Sequence, residues 1–152
     1  MADAPEAKLA LARDTRTPGK TLAKLANHKN WPVRADVASN PRAPAKTLSK
    51  LSEDKRWEVR TEVALNRNTT GKVLEALADD DDKRVRTAVA LNPKATAQAL
   101  RRLSKDKSVV VRLRVAENRS APGNVVRRLA ADEDRDVRRA AGENHQIPKK
   151  VK

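Results

Sequence analysis

The chain has 152 residues and a formal net charge of +14, from 34 lysines and arginines against 20 acidic residues. It has no cysteine, phenylalanine or tyrosine and two tryptophans, which excludes disulfides, thiol catalysis and cysteine-bound metals and leaves too few aromatics for one ordinary core. So basic a balance favours nucleic acid, a membrane surface or an acidic protein as partner.

Residues 1–16 carry Asp3 and Glu6 and no long apolar run, so no signal peptide is expected. Within them, the stretch from Ala7 onward aligns with Val33 to Pro44 at an offset of 26. It reads as a second helix without its first, an N-terminal half-repeat cap. From Thr17 the same pattern returns every 26 residues, giving repeats at 17–42, 43–68, 69–94, 95–120 and 121–146.

In each repeat a proline or threonine (Pro18, Pro44, Thr70, Thr96, Pro122) precedes a first helix. Proline suits a helix start because its φ is preset and its missing N–H is not needed there. Leu22, Leu48, Leu74, Leu100 and Val126 form one apolar column, and Leu25, Leu51, Leu77, Leu103 and Leu129 a second, three residues on and on the same helical face. After a short turn comes the second helix, with Val33, Val59, Val85, Val111 and Val137 and, four residues later, Val37, Val63, Val89, Val115 and Ala141. Asn40, Asn66, Asn92, Asn118 and Asn144 close the units and fit a left-handed terminating position. The fifth second helix is smaller in pattern, with Ala140, Ala141 and Gly142. Residues 147–152 start a sixth unit and form a basic, truncated tail.

Helices of two to three turns are not stable alone, so neighbours must hold them. The expectation is an all-α solenoid. Helices this short also leave room for 3₁₀ geometry, the second of each pair being one candidate; the sequence does not decide which.

The pattern Leu-x-x-Leu, then Asp, then Val-Arg-x-x-Val-Ala-x-Asn-Pro resembles the leucine-rich repeat variant family and is similar to short HEAT-like repeats, over roughly residues 7–148. The resemblance implies a right-handed superhelix of paired short helices with a concave and a convex face. It also implies that Asp54, Asp80, Asp106 and Asp132 form a ladder of hydrogen bonds with the arginine column Arg34, Arg60, Arg86, Arg112 and Arg138 between adjacent units; His28 stands where the first repeat would have its aspartate. Some relatives in the first family carry a cysteine-bound iron–sulfur cluster, which cannot transfer to a chain without cysteine. Some HEAT-like relatives are DNA glycosylases, but no glycosylase site is evident.

Catalysis finds no support: His28 and His145 lie in different repeats, and neither belongs to a spaced ligand cluster. The run Asp79-Asp80-Asp81-Asp82 lacks the glycine and spaced ligands of a calcium loop. No enzyme activity, metal, cofactor or small-molecule substrate is therefore expected. What varies between copies is more informative. On the first helices, Lys20, Lys24, Lys46, Lys50, Lys72, Arg101, Arg102, Arg127 and Arg128 lie away from the leucines, and stacking lines them into a basic stripe. Trp31 and Trp57 share one column in adjacent repeats, as a pair able to stack on a base or to close the loop over the core. The leading expectation is a module that binds nucleic acid, DNA or RNA, or another polyanion without sequence specificity. The rival is a protein-interaction scaffold, an acidic protein among its partners, gripping through the concave face with Leu65 and Leu91 exposed. A cytoplasmic protein without membrane insertion is the default, with a nucleoid or nuclear location left open.

Overall fold

The computed structural model describes residues 4–144; the tail 147–152 and His145 lie outside them. Eleven α-helices and no strand occur among the described residues. The half-repeat is α1 (Pro5–Arg13). The seven-residue helices are α2 (Gly19–Leu25), α4 (Ala45–Leu51), α6 (Gly71–Leu77), α8 (Ala97–Leu103) and α10 (Gly123–Leu129). The nine-residue helices that follow them are α3 (Trp31–Ser39), α5 (Trp57–Leu65), α7 (Lys83–Leu91), α9 (Val109–Glu117) and α11 (Arg135–Glu143).

The starts of the short helices follow from residue chemistry. Pro18, Pro44 and Pro122 sit just before the helix with φ of −61°, −63° and −59°. Thr70 and Thr96 replace proline with a true side-chain cap, their hydroxyls accepting from Val73 N and Ala99 N. Both helices of each pair are α-helical. Bonds of 3₁₀ type occur at helix starts, as where Thr21 N donates to Pro18 O, and in the closing turns, as where His28 N donates to Leu25 O.

The asparagines depart from the left-handed expectation. Asn40, Asn66, Asn92, Asn118 and Asn144 are extended, with φ between −67° and −73°, and no described residue has positive φ. The reason is a longer reach. Asn66 Nδ2 donates to Ala38 O at 2.7 Å and Asn40 O at 3.0 Å in the preceding repeat, while its Oδ1 accepts from Asn68 N. Asn92 does the same to Ala64 O and Asn66 O, and Asn118 to Ala90 O and Asn92 O. Each repeat thus satisfies carbonyls that the previous helix end leaves open.

The core is a continuous file of side chains. Leu22, Leu48, Leu74, Leu100 and Val126 are 0% exposed, as are Val33, Val59, Val85, Val111 and Val137. Each such side chain contributes about 1.5–3 kcal/mol of burial. The nine-residue helices pack closely on one another from α1 through α11, whereas successive seven-residue helices approach far less. A stack tighter on one layer than on the other must curve, so the nine-residue helices line the concave side and the seven-residue helices the convex side.

A charged ladder runs along the array. Arg34 Nε and Nη2 donate to both oxygens of Asp54, at 2.6 and 3.1 Å. Arg60 grips Asp80, Arg86 grips Asp106 and Arg112 grips Asp132 in the same bidentate way. In every case the carboxylate belongs to the next repeat. The six-residue spacing within a repeat serves a different bond, from Nη1 to a backbone carbonyl, as from Arg60 to Asp54 O at 2.7 Å. Each aspartate also accepts the N–H two residues on; His28 copies this with Nδ1, accepting from Asn30 N at 3.1 Å.

Candidate polyanion-binding surface

The stripe residues all stand on the seven-residue helices, on the convex layer. Lys20, Lys24, Lys46, Lys72, Arg101, Arg127 and Arg128 are exposed, and among the described residues their side chains make no hydrogen bond or ion pair. Two members are engaged: the Lys50 ammonium donates to Asn27 Oδ1, and Arg102 pairs with Asp79. The free cations therefore cluster on α2 and α4 and again on α10, with α6 and α8 between them carrying Lys72 and Arg101.

The ladder arginines are unlike these. The side chains of Arg86 and Arg112 are only 10% and 9% exposed, and their charge is met by Asp106 and Asp132. For Asp54, Asp106 and Asp132, burial pushes the carboxyl up, but the hydrogen bonds and charge of the gripping arginine, with a backbone N–H, outweigh it and hold the group below its ordinary value. These arginines are structural members with little field left for a phosphate.

Three of the four carboxylates in the acidic run 79–82 are likewise engaged. Asp80 holds Arg60 and Asp79 holds Arg102. Asp82 caps α7 through Arg84 N and pairs with the Arg84 guanidinium at 2.7 Å, whose hydrogen bonds hold it at about 2. Among the described residues no group of His, Asp or Glu is placed to hold a metal ion.

Trp31 and Trp57 begin α3 and α5, on the other layer from the stripe. Both are half-buried against the core. Each also meets an arginine of the following repeat: Arg56 lies 4.8 Å above the Trp31 ring centre and Arg84 only 3.4 Å above that of Trp57. A base seeking either covered ring face has to displace a guanidinium already stacked there. The tryptophan column alone does not reveal these contacts, because the partners come from different positions of the neighbouring unit.

On the concave side, Leu65, Leu91, Val109 and Val110 are 42%, 49%, 39% and 49% exposed. In the second repeat, Glu62 on α5 is partly buried, and its side chain makes no hydrogen bond or ion pair among the described residues. Burial and the nearby Asp36 charge both push its carboxyl up. Sequence periodicity gave no signal for Glu62, since its column holds Asp36, Ala88, Arg114 and Ala140 elsewhere.

The architecture is that of a known helical repeat. The chain is similar to the solved structure of a leucine-rich repeat variant with a novel repetitive structural motif, at a TM-score of 0.72 and 27% identity over 93% of this chain. The match spans 56% of that structure's length. An engineered protein shares the fold at a TM-score of 0.53 and 18% identity, over 90% of this chain and 86% of that one. No known family profile and no curated protein matches the chain. The sequence pattern and the structure thus agree on a helical repeat fold like that of the leucine-rich repeat variant, an architecture suited to binding or scaffolding. No described helix is long and apolar enough to cross a membrane.

Proposed function

We propose that this protein is a non-enzymatic binding module that holds a polyanion, nucleic acid above all, along its convex layer. The observation that carries the reading is the row of exposed cations without carboxylate partners on α2, α4, α6, α8 and α10. Adjacent helical units lie roughly 10 Å apart, so such a row meets a phosphate chain repeatedly without touching a base edge. Affinity then comes from counterion release and carries no sequence preference. The test is a titration of the variant with Lys20, Lys24, Lys46 and Lys50 all changed to Gln. Its stability should stay near wild type, because exposed charges contribute little. Its affinity for nucleic acid should fall equally for all sequences, and the slope of log K against log salt should shrink by about 0.7–0.9 per lost contact. Unchanged binding would transfer the function to the concave face, where exposed Leu65 and Leu91 favour a protein partner.

A further inference from the structure

The convex layer is not a smooth rail. Between α2 and α4 lies a groove of about 520 Å³, within the range of about 300–1,000 Å³ that small organic groups occupy. Its floor is apolar, made by Ala23, Ala26 and Pro44, and its rims carry Lys20, Lys46 and Lys50, with Glu53 as the one carboxylate in the lining. One end is closed by a tight approach of the helices: a Cβ built on Gly19 would stand 3.0 Å from Pro44 Cγ. The groove exists because successive seven-residue helices are spread apart on the outside of the curve.

Resting on the polyanion reading above, we infer that the ligand of this surface is single-stranded nucleic acid, with phosphates on the lysine rims and a base laid on the apolar floor of the α2–α4 groove. Curvature disfavours a duplex. Double-stranded DNA is stiff over about 150 base pairs, so following a convex face costs bending energy that the exposed cations have to offset. A single strand bends with the surface and reaches the cations of successive helices. Its bases are also unpaired, and each has an apolar face to place on Ala23 and Pro44. With no aromatic ring in the groove, the base contact is weak and indifferent to sequence, so the lysines supply most of the affinity.

The experiment compares fluorescence anisotropy of labelled oligothymidine, a duplex of equal length and polyglutamate, at two salt concentrations. It is run on the wild-type chain and on Ala23→Leu, which shallows the groove without altering charge. Ala23 is exposed, so the fold should survive the change, and a thermal melt checks this. Oligothymidine should bind more tightly than the duplex. Ala23→Leu should weaken oligothymidine binding severalfold and leave duplex binding unchanged. Duplex binding equal to or tighter than oligothymidine overturns the inference while leaving the polyanion reading standing. Oligothymidine binding indifferent to Ala23→Leu removes the base from the groove and overturns it too. Tighter binding of polyglutamate that responds to Ala23→Leu assigns the groove to an acidic polypeptide instead. Binding of none of the three ends both this inference and the reading beneath it.

Discussion

The arginine at the fourth position of α3, α5, α7, α9 and α11 is the same residue in five surroundings. Arg86 is buried, gripped by Asp106 at 2.7 Å and tied to Asp80 O and Asp81 O. Arg138 makes the same carbonyl contacts, to Asp132 O and Glu133 O, but is exposed, and no carboxylate pairs with it among the described residues. Arg86→Ala should therefore cost about 3–5 kcal/mol, since it strands a half-buried aspartate. Arg138→Ala should stay within about 0.5 kcal/mol of wild type. Urea unfolding of the two variants measures the contrast; equal losses would mean that the carbonyl bonds, not the carboxylate grip, carry the energy. Glu62 tests the opposite case. Its carboxyl is raised in the folded state, so it contributes most below the ordinary glutamate pKa, and that contribution is lost as pH rises through the raised value. Glu62→Gln should thus be more stable than wild type at neutral pH. The gap should close on acidification, and a gap that is the same at both ends of the titration rules out charge burial as its cause.

At the scale of the element, the starts of the short helices use two devices at one position. Thr96 has φ of −71°, within reach of proline's fixed value, and it adds a hydroxyl that caps Ala99 N and donates to Glu75. Thr96→Ala should cost about 0.5–2 kcal/mol through the lost cap. Thr96→Pro should cost less, because proline restores the preset φ that Pro44 uses in the same column. A chemical-denaturation series of wild type, Ala and Pro orders the three; Pro below Ala would show that proline does not fit this position despite the matching φ. These starts were legible in the sequence, and so were the apolar columns, because they depend on spacing within one helix. The bonds between units were less so. The six-residue spacing of Asp54 and Arg60 does not by itself say that the carboxylate turns back to Arg34 while its carbonyl serves Arg60. The asparagines looked like left-handed stops because the residue type favours that site, but the preceding repeat offers two carbonyls and draws the backbone extended. For the candidate surface, the cations were visible as a column, but neither their neutralisation at Arg102 nor the groove between α2 and α4 was. Both depend on how far apart successive helices stand.

The whole molecule is a one-dimensional stack, so its stability is a sum of unit and neighbour terms. Removing the core at its centre interrupts every path between the ends; Leu74→Ala should cost about 2–5 kcal/mol and lower the cooperativity of unfolding. Acid acts on all units together. Asp54, Asp106 and Asp132 are held below their ordinary values by the arginines that grip them, after burial has been overcome. A depressed carboxyl contributes stability that is fully present above its unfolded pKa, about 3.9, and is lost as pH falls through the folded value. Stability of the array should therefore hold from neutral pH down to about 4 and fall steeply below that. The net charge sharpens the fall, because protonating the ladder aspartates leaves their buried arginines unpaired in a chain already carrying +14. Asp106→Asn isolates one rung. It should be less stable than wild type at neutral pH, and the difference should shrink as acid removes the same charge from wild type. Parallel urea titrations of both chains across this range check the sign, and a difference that widens below pH 4 would mean that the rung does not act through its charge.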